Sequence, residues 1–429
     1  MTTAILFGSF FLLLIIGVPI GIALGSASLL AIAYIPFLSP DMYALGLVSG
    51  IDSFTLIAVV LFTLAGSMMA HGGISKRLIA VADRAFGGAP GDLGTVTIMS
   101  CLFFAAISGT GSATVAAIGL AMIPALVQRG YDRAYAAAMV ASAGGLGVMI
   151  PPSVVMIVYA VAGGVSVTAL FMAGIVPGMV IALTLIVYNI LHRRRDPERG
   201  EAHVYEGSVW TALNDAKLAL AMPLVVLGGI YSGVVTPTES SAVAVVYALV
   251  VSCFVYRELP LRDIPKMMLE SAMLVAAVLV IIGASVSFGR IIALEKIPSE
   301  LAEFVLSMTQ SKAIVLIAAI ALLLVVGTFL ETLAAIVILT PVLLPIMLQL
   351  GVDPVHFGIV MIVALAIGFV TPPLGANLFM AAQVGQVSFD KIARKIFPWV
   401  IAMIVALLII TFVPWLTLAL PRAFLDYGL

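Results

Sequence analysis

The amino-acid sequence predicts an all-α protein that crosses a membrane many times, and three observations carry this prediction. Of its 429 residues, 63% are hydrophobic and only 10% are charged, which is far from the balance of a soluble globular domain. Apolar tracts of about 20 residues, the length that spans a bilayer, recur from residue 4 to residue 420. The two halves also share a pattern of proline, glycine and polar residues. We therefore expect about ten to twelve membrane-embedded segments.

The charge balance narrows the classes of partner. The formal net charge is −1 and the basic residues lie in short clusters. This pattern argues against a nucleic-acid partner, and the lipid bilayer is the expected environment. The N-terminal tract has no basic leader and no clear cleavage site, so we expect a retained first membrane helix. Since all histidines lie at apparent segment ends without a nucleophile or metal set, an enzyme is the weakest hypothesis.

The longest hydrophilic stretch divides the chain nearly in half. Its arginine triplet, Arg193 to Arg195, directly follows an apolar tract. A basic cluster in this position is typical of the cytoplasmic side of a membrane. We therefore predict a first repeat over residues 1–192, a cytoplasmic linker over residues 193–217 and a second repeat over residues 218–429.

An internal repeat relates the two halves through a constant shift of 221 positions without gaps. The pattern P-x3-Q-x-G-x-D begins at Pro124 and again at Pro345. Further along, the same shift pairs one glycine and two prolines, namely Gly147 with Gly368, Pro151 with Pro372 and Pro152 with Pro373. Matches between prolines, glycines and polar residues are hard to obtain by chance. Matches between aliphatic residues mean little, because such residues fill every span. Broken helices at matched positions favour an inverted pair of repeats.

The segment Gly144–Ser153 predicts the first broken helix. Pro151 and Pro152 lack the N–H groups that would bond the carbonyls of Gly147 and Val148. An unbonded carbonyl costs several kcal/mol in hydrocarbon, so protein, water or a cation must complete the break. A sodium ion is a natural partner. The alternative is a proline-kinked helix that binds no ion.

The second half repeats this arrangement in the segment Gly368–Asn377. Here Pro372 and Pro373 leave the carbonyls of Gly368 and Phe369 without their helical donors, and Thr371 adds a hydroxyl oxygen. Hard monovalent cations prefer such oxygen ligands.

Each break follows a second irregular stretch, at residues 108–112 and 327–332. Glycine and small hydroxyl residues within apolar tracts suit the tip of a re-entrant hairpin. For the first stretch, close helix packing through small residues is the alternative. The repeat thus predicts hairpins over about residues 93–128 and 312–349, and broken helices over about residues 133–163 and 355–385.

Three polar residues stand next to these features. Glu331 is an acid in an apolar run and is either a cap of the hairpin helix or a site residue; we favour the cap. Ser153 and Asn377 lie just beyond the breaks and are candidates for substrate contact, with a satisfied buried asparagine as the alternative.

Short polar breaks predict helices that lie in the membrane interface. They span residues 75–84, 257–266 and 391–395 and mix basic with apolar residues. A helix of this kind could act as a stiff arm between a mobile and a fixed part. A plain loop with snorkelling side chains is the alternative.

Several motifs together resemble the large membrane subunit, the DctM-like family, of tripartite ATP-independent periplasmic (TRAP) transporters. The similarity runs essentially end to end. The motifs are LFTLAGSMMAHGGISKRL (61–78), AAISGTGSAT (105–114), GYDRAYAAA (130–138), GGLGVMIPPS (144–153), GVVTPTESSAVAVVYA (233–248) and GFVTPPLGANLF (368–379).

The resemblance implies an elevator-type secondary transporter with a scaffold, a mobile transport domain and coupling to a sodium gradient. It implies a multi-pass protein of the bacterial inner membrane that takes up organic acids. A periplasmic binding protein would deliver the substrate, and a separate small four-helix membrane subunit would brace the scaffold.

The resemblance also suggests site residues. We assign a first Na+ site to Ser108, Ser112, Gly145, Gly147, Val148 and Pro151. We assign a second Na+ site to Gly327, Thr328, Gly368, Thr371 and Pro372. Our candidates for substrate contact are Ser108, Gly109, Thr110, Ser153, Gly375 and Asn377.

Two other functions remain open from the sequence. One is a one-component symporter for sodium and a divalent anion, which would need no binding protein. The other is a passive channel, although rings of charged residues are missing from the apolar tracts and two broken-helix sites suit alternating access better.

Overall fold

A computed structural model describes residues 2–35, 38–86, 92–194, 208–309, 311–425 and 427. Within these ranges the chain forms α-helices and no strand. The first-half helices are α1 (Thr2–Ile15), α2 (Ile20–Tyr34), α3 (Pro40–Ile51), α4 (Phe54–His71), α5 (Ile74–Phe86), α6 (Asp92–Ser108), α7 (Gly111–Gln128), α8 (Arg133–Gly144), α9 (Leu146–Met149), α10 (Val154–Gly163) and α11 (Val167–Arg194). The second-half helices are α12 (Val209–Tyr231), α13 (Pro237–Leu249), α14 (Ile264–Leu294), α15 (Ile297–Met308), α16 (Lys312–Phe329), α17 (Thr332–Gln349), α18 (Pro354–Gly368), α19 (Ala376–Gly385), α20 (Phe389–Phe412) and α21 (Trp415–Phe424).

The prediction of an all-α membrane protein is confirmed for the described part of the chain. Nine of its helices are long and apolar enough to cross a membrane, or ten if the bent pair around the first break counts as one span. Ten is the lower limit of our expectation and nine lies one below it, because several apolar helices, such as α1 and α18, have fewer than 18 residues. Most of the predicted linker, residues 195–207, lies outside the described residues.

The residues that match between the halves build the same turn twice. Gly130 and Gly351 follow α7 and α17 with φ angles of +77° and +66°, a backbone conformation that glycine adopts without strain. Asp132 and Asp353 then cap α8 and α18 by accepting hydrogen bonds from backbone N–H groups at 2.9 and 2.8 Å. The repeated glycine and aspartate therefore connect a hairpin to a broken helix in each half.

The helix boundaries follow the predicted shift up to the breaks. α7 and α17 begin at Gly111 and Thr332, a shift of 221. α10 and α19 begin at Val154 and Ala376, a shift of 222. The expectation of an alignment without gaps is therefore wrong beyond this point, because the second break contains one residue more.

The two hairpins open at opposite ends of the helix bundle. We call the end where α11 stops and α12 starts the linker side. His192, near the end of α11, stacks on Tyr135 of α8 with ring centroids 4.3 Å apart, so the hairpin that precedes α8 opens on the linker side. Trp399, in the first half of α20, is 5.4 Å from the same tyrosine ring. His356 of α18 instead meets Thr417, beyond the far end of α20, with Nδ1 2.8 Å from Oγ1.

The buried hydrophobic residues form one large core, one smaller core and a three-residue cluster between α5 and α12. The large core contains both hairpins, both breaks and the helices around them. The smaller core joins α1 and α2 to α14. α3 packs on α14 through small residues: a Cβ on Gly50 would lie 2.9 Å from the Cα of Gly283.

Of the three predicted interfacial helices, only the first is a separate helix. Residues 75–84 lie in α5, whose buried side chains include Ile74 and Leu78. Residues 257–266 form a loop, one 3₁₀ turn and the start of α14, and residues 391–395 belong to α20. The equivalent of α5 in the second half is α15, which directly precedes the second hairpin and which the sequence interpretation missed.

Candidate functional site

The tips of both hairpins are two-residue turns. Gly109 and Thr110 join α6 to α7, and Leu330 and Glu331 join α16 to α17. Gly109 has a φ of +64°, and a Cβ there would lie 2.9 Å from the carbonyl oxygen of Pro152. The first tip therefore rests directly on the backbone of the first break.

Three oxygen atoms converge at the first tip. The Ser108 Oγ lies 2.8 Å from the Thr114 Oγ1. Both hydroxyl oxygens also lie within hydrogen-bond distance of the Thr110 carbonyl oxygen, at 3.3 and 2.9 Å, so the three oxygens share two protons. The backbone of Gly147 lies against the same group, because a Cβ there would be 2.6 Å from the Thr114 Oγ1 and would overlap the Thr110 carbonyl. Thr114 was not among the residues that the sequence indicated.

The first break is closed partly by protein donors. The chain leaves the helix after α9, runs extended to Ser153 and resumes as α10, at an angle of 46°. The Val148 carbonyl accepts a hydrogen bond from the Ser153 hydroxyl at 2.8 Å. The Val154 N–H donates to the carbonyl of Gly109 at 3.4 Å. One lone pair of the Val148 oxygen stays available to a cation.

The freed carbonyls of the second break also accept hydrogen bonds from the protein, but from different donors. The Gly368 carbonyl accepts from the Thr371 N–H at 2.8 Å, and the Phe369 carbonyl accepts from the Asn377 N–H at 3.2 Å. The Thr371 hydroxyl donates to the Ile367 carbonyl at 2.7 Å, which leaves the lone pairs of its Oγ1 as acceptors. Protein therefore supplies one donor to each freed carbonyl of this break.

Gly327 and Gly368 form the closest backbone crossing of the second site. A Cβ on Gly368 would lie 2.6 Å from the Cα of Gly327, and a Cβ on Gly327 would lie 2.9 Å from the carbonyl oxygen of Leu365. Thr328, beside this crossing, donates its hydroxyl to the Val325 carbonyl at 2.7 Å. Hairpin and broken helix can meet here only because both positions are glycine.

Asn377 connects the second break to the first hairpin. Its side chain is buried, and its Oδ1 has no hydrogen-bond partner among the described residues. A Cβ on Gly111, the first residue of α7, would lie 3.0 Å from the Asn377 Nδ2. Among the described residues, this oxygen therefore lacks the partner that the alternative, a satisfied buried asparagine, requires.

A cavity of about 760 Å³ reaches both hairpin tips. Its walls combine the hairpin tips and both breaks with α4, α5 and α14. The hairpin tips and breaks contribute the following residues to its lining: Ser108, Thr110, Gly111, Ser112, Val148, Glu331, Thr332 and Phe369. The other predicted site residues are not part of this lining, namely Gly109, Gly145, Gly147, Pro151, Ser153, Gly327, Thr328, Gly368, Thr371, Pro372, Gly375 and Asn377.

Glu331 does not cap its helix through its side chain. It occupies the N-cap position of α17, but its carboxylate makes no capping hydrogen bond and is exposed to the cavity. The preferred expectation of a structural cap is therefore wrong, and the alternative of a site residue fits the geometry. The neighbouring Thr332 has a buried hydroxyl without a partner in the described structure and lines the same cavity.

The opposite wall of the cavity carries polar residues that the sequence interpretation missed. Thr63, Ser67 and His71 line it from α4 at four-residue spacing, and Glu270 lines it from α14. Lys76 of α5 lies at its rim on the linker side. The four-residue spacing on α4 was the available signal, because it places these side chains on one face of a helix.

Comparison with known proteins identifies the family. The family described as "Tripartite ATP-independent periplasmic transporter, DctM component" matches residues 7–416. The C4-dicarboxylate TRAP transporter large permease protein DctM of Rhodobacter capsulatus is 38% identical over 438 residues, which cover 98% of this chain and 99% of that protein. The Isethionate TRAP transporter permease protein DctMQ of Oleidesulfovibrio alaskensis is 46% identical over 96% of this chain, which spans 65% of the length of that relative.

A solved structure supports the fold alone. The YdaH transporter of Alcanivorax borkumensis, described as having an unusual topology, superposes with a TM-score of 0.61 at 15% sequence identity and covers 95% of this chain and 97% of that chain. The family match extends over nearly the whole sequence and the described helices cross the membrane many times. The chain therefore belongs to the DctM family of large permease proteins of TRAP transporters and is a multi-pass protein of the inner membrane.

Proposed function

We propose that this permease carries out sodium-coupled uptake of an anionic organic acid by elevator-type alternating access. The observation that carries this proposal is the cavity that reaches the tips of both hairpins, with a broken helix directly behind each tip. A solute in this cavity touches elements of both halves at once. Movement of these elements against α4, α5 and α14 would then carry the solute across the membrane.

Two sodium ions are the proposed coupling ions. At the first tip, the Ser108 and Thr114 hydroxyls and the Thr110 carbonyl supply oxygen atoms without a fixed charge. At the second break, the Thr371 Oγ1 and the Gly368 carbonyl each keep acceptor capacity. Such neutral oxygen sets fit Na+, whose positive charge would offset that of an anionic substrate.

The distribution of basic residues supports a cytoplasmic linker. On the side opposite the linker, the described basic residues are Arg290, Lys296, Lys312 and Arg422, whereas the other described lysines and arginines lie on the linker side. This bias is typical of a cytoplasmic linker side. With the linker on the cytoplasmic side, Lys76 and Glu258 at the rim of the cavity favour an opening toward the cytoplasm.

The packing supports a division into a scaffold and a transport domain. Helices α1, α2, α3 and α14 form the proposed scaffold, together with α4, α12 and α13. The two hairpins and two broken helices form the proposed transport domain, as inverted repeats that open at opposite ends of the bundle. The amphipathic helices α5 and α15 directly precede the hairpins and are the proposed arms between the two parts.

Substrate and partners follow from the relatives. A small membrane subunit and a periplasmic binding protein are the expected partners of a TRAP large permease. Isethionate and C4-dicarboxylates, which appear in the names of two relatives, are the first substrates to test.

The proposal is tested by uptake into proteoliposomes that contain the full chain and its small subunit. Radiolabelled isethionate or succinate is added with the periplasmic binding protein and an inward sodium gradient. Accumulation that needs both components supports the proposal. Equal uptake without the binding protein would favour a one-component symporter, and equal flux without sodium would favour a channel.

A further inference from the structure

A second cavity on the linker side adjoins the transport cavity, with which it shares Lys76 and Glu258. Its volume is about 470 Å³, and its walls come from α5, the start of α12 and the loop that follows α13. The charged side chains that line it are Lys76, Arg77, Arg84, Asp215 and Glu258. Three positive and two negative groups leave an excess of positive charge.

One of these cations is already engaged. The Arg77 Nη1 donates to the Glu258 Oε1 at 2.6 Å and to the Gly73 carbonyl at 2.9 Å. Its guanidinium also lies 3.6 Å from the centre of the Tyr256 ring. The Glu258 carboxylate is thereby committed to Arg77, and Lys76 reaches it only at 3.8 Å.

Arg84 supplies the positive charge that remains. Its side chain is half-buried and lines the cavity, and within the described ranges it has no ion-pair or hydrogen-bond partner. A snorkelling arginine would extend into bulk water instead of lining a cavity. With Arg77 paired to Glu258, the cavity keeps the Arg84 guanidinium and the Lys76 ammonium against one carboxylate, that of Asp215, so a net positive charge remains for an anionic group at the membrane surface.

An apolar cavity of about 260 Å³ lies deeper on the same helices. It is lined by Leu78 of α5, by Ala219 and Leu224 of α12, and by apolar residues of α6 and α11. Ala219 follows Asp215 by one helical turn, so this cavity begins about 6 Å deeper along α12 than the charged one. Met179 and Leu224 at its rim are exposed, so a chain can enter from the bilayer.

We propose that these two cavities together bind one anionic phospholipid of the linker-side leaflet. Its phosphate would pair with Arg84 and Lys76, and an acyl chain would occupy the apolar cavity. A free phosphate would make no use of the apolar cavity, and a zwitterionic lipid would gain little from the excess positive charge. The lipid would contact α12 of the proposed scaffold, the proposed arm α5 and α6 of the first hairpin, together with α11, and so would join the proposed scaffold to the proposed transport domain.

The test measures lipid retention on the full chain with its small subunit, in mild detergent, by native mass spectrometry. Dioleoyl phosphatidylglycerol, dioleoyl phosphatidylcholine and glycerol phosphate are added separately. Phosphatidylglycerol is expected to be retained, and Arg84→Gln is expected to lower its retention about fivefold, the effect of one basic side chain on an anionic lipid. Lys76→Gln, at a side chain that is 84% exposed, should act in the same direction.

Each cavity has its own control variant. Arg262→Gln removes an 86% exposed arginine on the same side of the membrane and should leave retention unchanged. Met179→Trp should obstruct the apolar cavity and lower retention, whereas Met273→Trp, at an exposed position of α14, should not. Equal retention of phosphatidylcholine, binding of glycerol phosphate alone, or no effect of Arg84→Gln and Lys76→Gln would overturn the proposal. Since transport is not measured, failure of sodium-coupled uptake would not affect this result.

Discussion

Asn377 lies against Gly111, so that the second broken helix touches the first hairpin at the N-terminal end of α7. A Cβ on Gly111 would be 3.0 Å from the Asn377 Nδ2, while the Oδ1 of the same amide has no partner in the described structure. A buried acceptor without a donor is costly and is expected where a ligand completes the bond. The amide oxygen can accept a hydrogen bond or bind a cation, and the amide nitrogen can donate a hydrogen bond to an anion.

We predict that Asn377→Ala lowers uptake by at least about tenfold, which corresponds to loss of one hydrogen bond to a charged ligand. Protein abundance in the membrane should change by less. The matched control is Asn214→Ala, at an exposed amide of α12 that bonds only to Lys217. Uptake that survives in Asn377→Ala as well as in the control would remove this amide from the transport site.

Thr371→Ala and Ser108→Ala should raise the sodium concentration needed for half-maximal uptake more than they lower protein abundance. Each change removes one of the few side-chain oxygens beside a break. Proteoliposome uptake measured against sodium concentration checks this. Thr184→Ala is the control, because its hydroxyl also bonds to a carbonyl of its own helix, α11, but lies at neither break. Sodium curves that match the unmodified protein in both variants would contradict the assignment.

Glu331→Gln should impair transport while leaving thermal stability unchanged, because the carboxylate faces the cavity and caps nothing. Glu239→Ala is the opposite case. The Glu239 carboxylate accepts from the Thr236 N–H and hydroxyl at 2.8 and 2.9 Å in a capping box, so its loss should lower the melting temperature. A reversed outcome, with Glu331→Gln destabilising and fully active, would restore the capping role.

Gly368→Ala should destabilise the permease by about 1–3 kcal/mol, because the new methyl group would meet the backbone of α16. The Cα of Gly327 lies only 2.6 Å from the position of that methyl group, and backbone cannot move aside as a flexible side chain can. Thermal unfolding in detergent measures the effect. Gly289→Ala in α14 is the control, since nothing lies within 4 Å of its added methyl group. Equal melting temperatures for the two variants would show that the crossing tolerates a side chain.

Part of this architecture could be predicted from the sequence, because certain residues end, cap or break helices. The repeated glycine and aspartate of P-x3-Q-x-G-x-D mark a positive φ and a helix cap, which are local effects and therefore visible in one dimension. Paired prolines marked the breaks for the same reason. The single residue by which the second break exceeds the first follows the shared prolines, so their alignment did not reveal it.

The composition of the cavity wall could not be predicted in this way. Thr63, Glu270 and Glu331 come together from three distant segments, and only the packing of α4 and α14 against the hairpins brings them to one space. The direction of the Glu331 side chain was equally hidden, because a residue at an N-cap position can point toward its helix or away from it. The donors to the freed carbonyls, such as the Ser153 hydroxyl and the Asn377 N–H, could not be predicted either, because their positions depend on the path of the chain after the prolines.

A density map of the complex with and without sodium tests most directly whether both broken helices hold the coupling ions. We expect sodium-dependent density beside the Ser108 and Thr114 hydroxyls and the Thr110 carbonyl, and a second density beside Thr371 and Gly368. Identical maps in sodium chloride and choline chloride at both positions, from protein that transports normally, would contradict this assignment.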